Sequence, residues 1–306
     1  TAGNMILTLY EKRVDAQDLP FFLGLMTHLA DRGLNCPQPL PDRSGQPLRE
    51  IAGRSGAFFS FLAGTCTHAP TVAQCRAAGE ALGRLHVLAD DFAMERANAL
   101  GLEGWQRLHG ELAGAPLPTV APGYNDVITD ELDFQARAWP AHLPRGTLHA
   151  DMFPNNVFFL DGQLSGIIDF YFACTDVLLY DLAITANAWC FEASTGEPET
   201  HDDQAGHHHH GTVRLNEDKL AALVSGYAAL RPGVAQELGE MCTLCRAAAL
   251  RFFLTRAIDW LTTPATALVE RLDPAEYIDR LNVWRAIAAG PTDAQAKLFS
   301  PARPAH

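Results

Sequence analysis

No apolar run in this sequence reaches the ~18 residues that a transmembrane helix requires. No secretory signal pattern is recognisable either. The seven cysteines are odd in number and lack the spacing of a disulfide framework, so we expect reduced thiols and a cytoplasmic protein. Positive charge is scarce, with 23 Lys and Arg against 36 Asp and Glu, which disfavours non-specific binding to nucleic acid or to anionic membranes.

The rest of the composition is that of an ordinary globular protein. Hydrophobic residues make up 48% of the 306 residues and charged residues 19%. A chain of this length can bury a substantial core as one two-lobed unit or as two domains. Composition leaves the oligomeric state undetermined.

The most informative segment is residues 148–156, which contains the pattern H-x-D-x-x-x-x-N. An apolar run at residues 164–168 follows it and ends at a second aspartate, Asp169. Phosphoryl transfer of the kinase type needs an acceptor for the substrate hydroxyl proton and oxygen ligands for magnesium beside the phosphates of ATP. The pattern predicts Asp151 as that acceptor, with Asn156 and Asp169 as the metal ligands.

The local sequence predicts how these three side chains meet. Two β-prone runs, residues 157–160 and 164–168, flank the turn signal Asp161-Gly162 and predict a hairpin. Pro154 disfavours a helix in the preceding segment, residues 149–156, which we therefore predict to be a loop. The loop and the end of the second strand then lie at the same end of the hairpin.

An alternative interpretation makes Asp151 and Asn156 turn residues and Asp169 a strand-end cap. It would suffice for an isolated H-x-D, but it does not account for the full pattern together with the hairpin and the second aspartate. We assign His149 a structural role in orienting the loop and interpret His86 as a core histidine.

These residues resemble those of the aminoglycoside phosphotransferase and choline kinase superfamily, whose members are relatives of protein kinases. Residues 82–86 also resemble the L-x-x-L-H segment of its large lobe. The resemblance implies an α+β, two-lobed protein-kinase-like fold with a small β-rich N-terminal lobe and a larger, mostly helical C-terminal lobe. It also implies the cofactors ATP and Mg²⁺, and it assigns Asp181 to bracing the catalytic loop.

Three longer segments, residues 6–40, 166–192 and 246–261, are similar to the bacterial homoserine kinases of that superfamily. This similarity implies that the acceptor is L-homoserine and that the product belongs to threonine biosynthesis. We place the remainder of the small lobe and the hinge at residues 1–63 and the large lobe at residues 64–306. An irregular, histidine-rich insertion at residues 194–213 lies outside the similarity.

The nucleotide-binding part departs from the superfamily pattern. A glycine-rich hairpin is not recognisable before Met5, so we interpret the sequence as starting late in a truncated small lobe. The phosphate-contacting Lys or Arg of the superfamily falls near Thr8, with Lys12 as a substitute or, equally, an exposed strand-end cation. The resemblance places adenine at the hinge, where backbone groups of Ser60 and Leu62 are candidates.

Residues that select the acceptor are predicted only weakly. A substrate carboxylate favours an arginine, and Arg251 is our choice on the C-terminal segment, although an ion pair explains it as well. An ammonium favours acidic residues, for which Asp176 and Glu192 are candidates. Other acceptors, such as choline, ethanolamine or an aminoglycoside, and an inactive nucleotide-binding protein remain alternatives.

Periodicity and capping signals predict most of the helices. Asp18, Pro20 and Gly33 delimit the first one, with Asp18 as its cap. Further helices are expected over residues 71–88, 126–139, 176–191, 216–230, 236–261 and 273–288, with a loosely held tail from residue 290. The C-x-x-C of Cys242 and Cys245 falls within a helix, which favours buried cysteines over a metal site.

Overall fold

The computed structural model describes residues 4–10, 15–117, 119–120, 123–193, 213–264 and 271–301. A small antiparallel sheet forms the N-terminal part, and helices dominate from residue 72 onward. The α+β architecture expected from the sequence, with a small β-rich N-terminal part and a larger, mostly helical part, is therefore confirmed. In this described part of the chain, no helix is both long and apolar enough to cross a membrane.

Strands and helices are numbered in chain order. The strands are β1 (Met5–Leu9), β2 (Pro39–Leu40), β3 (Leu48–Ile51), β4 (Arg54–Ser60), β5 (Arg145–Leu148), β6 (Val157–Leu160), β7 (Gln163–Ile167), β8 (Cys174–Val177), β9 (Phe191–Ala193) and β10 (Val213–Leu215). The helices are α1 (Leu19–Asp31), α2 (Val72–Leu88), α3 (Leu102–Glu111), α4 (Tyr124–Ala138), α5 (Leu178–Trp189), α6 (Glu217–Leu230), α7 (Met241–Thr262), α8 (Ala275–Ala288) and α9 (Thr292–Leu298).

Strand β4 organises the N-terminal sheet. It pairs antiparallel with β1 along one side and with β3 and β2 along the other. Helix α1 has the predicted bounds, with Pro20 in its first turn and Gly33 in the left-handed region (φ 84°) after its end. The cap prediction was wrong, because the Asp18 carboxylate makes no capping bond and instead accepts a hydrogen bond from Arg96 Nε at 2.6 Å.

Helix α2 begins with a capping box and packs very closely against α6. The Thr71 hydroxyl accepts the backbone N–H of Gln74, whose side chain accepts the backbone N–H of Thr71. Glycines make the close approach possible, since a Cβ on Gly79 would overlap the carbonyl oxygen of Leu223. On the opposite helix, a Cβ on Gly226 would overlap the carbonyl oxygen of Arg76.

Helix α7 runs through the centre of the helical part and is buried along most of its length. It contacts α3, α4, α5 and α8. Both Cys242 and Cys245 are buried on it, and burial raises the pKa of the Cys242 thiol to about 11. Burial likewise raises the pKa of Cys245, which favours the protonated, unreactive form of both thiols.

Two short ribbons stand between the sheet and the helices. Strand β6 pairs with β7 as the predicted hairpin, and β5 pairs with β8. The sequence predicted a helix from residue 176, but the chain is extended to Val177 and α5 begins only at Leu178. The cause is tertiary, because pairing with β5 provides the backbone partners that a helix would otherwise supply.

Residues 291–301 are better held than the sequence predicted. Helix α9 forms after residue 290, and Phe299 stacks on Trp284 with ring centroids 6.0 Å apart. Strands β9 and β10 pair antiparallel on either side of the histidine-rich insertion. Residues 194–212 of that insertion lie outside the described part of the chain.

Replacing Gly79 by Ala tests the contact between α2 and α6. The added methyl group would force the helices apart, and we expect the free energy of unfolding to fall by roughly 1–3 kcal/mol in urea denaturation. Gly110→Ala in α3 is the matched control, because a Cβ there meets nothing within 4 Å and alanine favours the helix. Equal stability of Gly79→Ala and the wild type would contradict the close helix contact.

Candidate active site

The H-x-D-x-x-x-x-N segment is the loop between β5 and β6, and its end forms one turn of 3-10 helix over Pro154–Asn156. The Asn156 side chain folds back across this loop. Its Nδ2 donates to the Asp151 backbone carbonyl at 2.8 Å and to Asp151 Oδ2 at 3.0 Å. The structure therefore places the predicted proton acceptor and one predicted metal ligand in direct contact.

Asp169 reaches the same place through the β6–β7 hairpin. Val157 pairs with Ile167, and the Ile168 N–H donates to the Asn156 carbonyl at 2.9 Å. Asp169 is exposed and adopts a left-handed backbone (φ 65°), which is unusual for a residue other than glycine. Within the described chain, its carboxylate makes no hydrogen bond or ion pair, so its oxygens are free to bind a ligand.

The Asp151 carboxylate experiences opposing electrostatic influences. Burial raises its pKa above the usual range, and the charge of Asp169 acts in the same direction. The positive charge of Arg251, the neighbouring His149 and the hydrogen bond from Asn156 act in the opposite direction. A raised pKa strengthens a carboxylate as a proton acceptor as long as it stays ionised.

His149 joins the loop to the end of β7. Its Nε2 lies 3.0 Å from the Ile168 carbonyl oxygen, and its Nδ1 lies 3.2 Å from the Asp151 backbone nitrogen. A carbonyl can only accept, and a backbone N–H can only donate, so these partners fit an imidazole that carries its proton on Nε2. The ring is fully buried and orients the loop through hydrogen bonds.

Asp181, on α5, holds the backbone of the loop. Its Oδ2 accepts the His149 N–H at 2.6 Å, and its Oδ1 accepts the Ala150 N–H at 2.9 Å. His86 Nε2 lies 3.1 Å from the same Oδ2. Burial raises the Asp181 pKa, but the hydrogen bond from His86 and the proximity of His86 and His149 outweigh it and lower the pKa below its ordinary value.

Behind His86, sequence analysis missed a chain of polar groups. The Tyr227 hydroxyl lies 2.8 Å from His86 Nδ1 and accepts from Arg231 Nη1 at 3.0 Å, while Arg231 pairs with Glu237 at 2.7 Å. Because Arg231 can only donate, the Tyr227 O–H is free to donate to His86. No local motif marks these residues, since Tyr227 lies 141 positions from His86 in the chain.

The predicted hinge, which contains Ser60 and Leu62, lies beside the β6–β7 hairpin. Thr65 exchanges backbone hydrogen bonds with Phe159 of β6, and Ser165 of β7 donates to the Ala63 carbonyl at 2.7 Å. The Ser60 N–H already donates to the Gln38 carbonyl at 2.9 Å, so this amide is not available to adenine. Among the described residues the Leu62 backbone makes no such bond, and Lys12 lies outside them.

Each of the three predicted acceptor-site residues has a partner within the protein. The Asp176 carboxylate accepts from Asn98 at 2.8 Å and from Arg145 at 3.2 Å. Glu192 lies on β9, where it pairs with Lys219 at 2.6 Å and with Arg214 at 3.2 Å. These partners argue against ammonium binding at either acid. Arg251 is only 1% exposed and donates to the backbone of the catalytic loop.

No group of three or more His, Cys, Asp or Glu residues in the described segments is arranged to hold a metal ion. A cation at Asp169 and Asn156 would take one carboxylate and one amide oxygen from the protein. Such a sparse, hard-oxygen site suits magnesium, which keeps waters and substrate phosphates among its ligands.

Comparison with known proteins identifies the family. Residues 1–232 match the model of the phosphotransferase enzyme family, and the chain belongs to that family. It is 50% identical to a homoserine kinase of Rhizobium rhizogenes over 285 residues, which are 93% of this chain and 83% of the relative. It is 49% identical over 287 residues to a homoserine kinase of Xanthobacter autotrophicus, covering 94% of this chain and 84% of the relative.

Solved structures of more distant proteins share the fold. A choline/ethanolamine kinase family protein from Mesorhizobium loti superposes with a TM-score of 0.62 at 18% identity, covering 98% of this chain and 87% of its own. An amicoumacin kinase in complex with AMP-PNP and Ca²⁺ superposes with a TM-score of 0.60 at 13% identity, covering 98% and 83%. At these identities the likeness concerns the fold alone.

Asp181→Asn tests the brace of the catalytic loop. The amide group cannot accept at both positions, so one backbone N–H of His149 or Ala150 loses its buried partner. We expect the free energy of unfolding to fall by about 3–5 kcal/mol in urea denaturation. Because folding lowers the pKa of Asp181, its carboxylate contributes fully to stability above the unfolded-state pKa of ~4, and this contribution is lost on acidification. The two proteins are therefore compared at pH 7.

Asp91→Asn is the control for this substitution. The Asp91 side chain is 67% exposed and pairs with Arg32 at the surface, so the variant should unfold close to the wild type. If Asp181→Asn were as stable as Asp91→Asn, the buried carboxylate would not be the support that the distances indicate.

Proposed function

We propose that this member of the phosphotransferase enzyme family transfers the γ-phosphoryl group of ATP to the hydroxyl group of L-homoserine. The observation that carries the proposal is the contact of Asp151 with Asn156, beside the exposed carboxylate of Asp169. The acceptor is supported by the roughly 50% identity to homoserine kinases over most of the chain. A cytoplasmic location belongs to the same proposal.

Asp151 is assigned to the acceptor hydroxyl. Its carboxylate accepts the hydroxyl hydrogen bond and directs a lone pair of the oxygen toward the γ-phosphorus. The transition state of such reactions is loose, so orientation matters more than early proton removal. The bond from Asn156 and the backbone bond to His149 hold Asp151 for this purpose before the substrate arrives.

A divalent cation fits Asn156 and Asp169. The Asn156 amide nitrogen is committed to Asp151, which directs Oδ1 away from that side chain, and the Asp169 carboxylate is exposed. These are the hard oxygen atoms that magnesium prefers. When bound, the cation neutralises charge on the phosphates.

The nucleotide is assigned to the junction of the proposed lobes, residues 1–63 and 64–306. The Leu62 backbone makes no hydrogen bond to another described residue, which supports adenine binding there, whereas the amide of Ser60 is engaged by Gln38. Contacts between this segment and the β6–β7 hairpin would keep the base and the metal ligands in a constant relation. Lys12 remains the proposed phosphate contact.

Asp151→Asn tests this assignment of the reaction. We expect kcat for ADP release from Mg·ATP and L-homoserine to fall by about 10²–10⁴-fold, because the amide accepts the hydroxyl proton poorly. The KM for ATP should change little, since Asp151 does not contact the nucleotide in the proposed arrangement. Assays of the wild type with choline, ethanolamine and kanamycin test whether the protein is instead a kinase of another alcohol.

Asp161→Asn is the matched control. It makes the same chemical change at the exposed tip of the β6–β7 hairpin, where an asparagine tolerates the left-handed backbone (φ 51°) equally well. Its kcat should equal that of the wild type. Near-normal turnover by Asp151→Asn would exclude the catalytic assignment of Asp151. Turnover with another acceptor but none with L-homoserine would show that the other compound is the substrate.

A further inference from the structure

Arg251 is a cation buried in the protein interior. It lies in the middle of α7 with 1% of its surface exposed. Two other arginines of this helix pair with carboxylates, Arg246 with Glu131 and Arg256 with Glu276, both within 2.7 Å. Arg251 forms no ion pair within the described segments of the chain. Burying an unpaired guanidinium is unfavourable, so its contacts require explanation.

Arg251 makes a strong hydrogen bond to the catalytic loop. Arg251 Nη1 donates to the Ala150 carbonyl oxygen at 2.6 Å, and the charge of the guanidinium strengthens this bond. Ala150 immediately precedes Asp151 and has a left-handed backbone (φ 61°), which disfavours a residue with a Cβ. This conformation therefore persists only where surrounding contacts hold it.

Both sides of Ala150 are held by opposite charges. The Asp181 carboxylate of α5 accepts its N–H at 2.9 Å, and the Arg251 guanidinium of α7 binds its carbonyl. The backbone direction at Ala150 sets the direction in which the Asp151 side chain leaves the loop. The two helices thus jointly determine where the Asp151 carboxylate lies.

Aromatic rings keep the guanidinium in place. Its central carbon lies 4.6 Å from the Phe252 ring centre and 5.6 Å from that of Phe172. Phe252 also packs edge-on against Phe153 of the catalytic loop, with centroids 4.8 Å apart. These contacts leave Arg251 little freedom to turn toward a ligand, and its Nη1 is already engaged.

We propose that Arg251 is a positioning residue for phosphoryl transfer, which holds the Ala150 carbonyl so that the Asp151 carboxylate meets the acceptor hydroxyl. The inference rests on the proposed function for its catalytic consequence, but the contact itself does not. It differs from the sequence-based expectation that Arg251 binds the substrate carboxylate. The two roles predict different changes in kcat and KM.

The first test is kinetic and compares Arg251→Met and Arg251→Lys. Removing the charged donor should lower kcat by about 10–100-fold, since small displacements of a catalytic group have effects of this size. KM for ATP and for the acceptor should stay within about threefold. Lysine retains a charged donor, so Arg251→Lys should recover part of kcat. Phe253→Leu, a change at a buried ring of the same helix that packs against Tyr124 of α4, controls for lost packing.

A rise of tenfold or more in the KM for L-homoserine with an unchanged kcat would overturn the proposal and make Arg251 a substrate ligand. Wild-type constants in folded Arg251→Met would overturn it as well. If the Met variant does not fold, the same division between kcat and KM is read from Arg251→Lys. A wild type inactive with every acceptor would refute the proposed function instead.

The second test does not require activity. Trp189 Nε1 donates to the Met152 carbonyl at 2.8 Å, so its indole N–H reports on the loop two residues after Ala150. Its NMR resonance, assigned with Trp189→Phe, should shift in Arg251→Met or Arg251→Lys but not in Phe253→Leu. An unchanged resonance in both Arg251 variants would show that Arg251 does not position the loop.

Discussion

The catalytic loop depends on the buried carboxylate of Asp181. Two successive backbone N–H groups, those of His149 and Ala150, point at this one side chain. Without it the loop would leave two donors unpaired in the protein interior, which is costly. The carboxylate in turn needs His86, and His86 needs Tyr227 and the ion pair behind it. The geometry at Asp151 is therefore set by contacts that extend well beyond the reacting groups.

Strand pairing positions the other residues of the site. The β6–β7 hairpin brings Asn156 and Asp169 together across the bond between Ile168 and the Asn156 carbonyl. From Asp169 the chain continues to Tyr171. The Tyr171 hydroxyl lies 3.1 Å from the hydroxyl of Tyr10, which directly follows β1 of the N-terminal sheet. The Phe22 ring of α1 packs edge-on against Tyr171 as well. The N-terminal part thus contacts the chain two residues beyond a proposed metal ligand.

Fold and substrate are supported by different evidence. Proteins with 13–18% identity share the overall fold, although one belongs to a choline/ethanolamine kinase family and another is an amicoumacin kinase. A fold common to such different proteins supports the placement of the loop, the hairpin and the supporting helices. The acceptor depends on side chains around the site, and the residues predicted for it have mostly structural partners. Its assignment therefore relies on much closer relatives.

Features that depend on neighbours along the chain could be predicted from the amino-acid sequence alone. The H-x-D-x-x-x-x-N loop, the hairpin with its Asp161-Gly162 turn and the start of α2 at Thr71 all follow from local turn and capping chemistry. The resemblance to known kinases supplied the role of Asp181. Local patterns could not reveal that Asp18 binds Arg96 instead of capping α1, because those residues lie 78 positions apart.

Which polar groups meet depends on how distant segments of the chain pack together. The extended chain at Asp176 is imposed by pairing with β5, and the surroundings of Glu192 come from β10 and α6. Arg251 has the same local signature as Arg246 and Arg256, yet it alone of the three binds the loop carbonyl of Ala150, 101 positions away. A hydrogen bond depends on distance and direction in space, and for distant residues these are set only once the helices have packed.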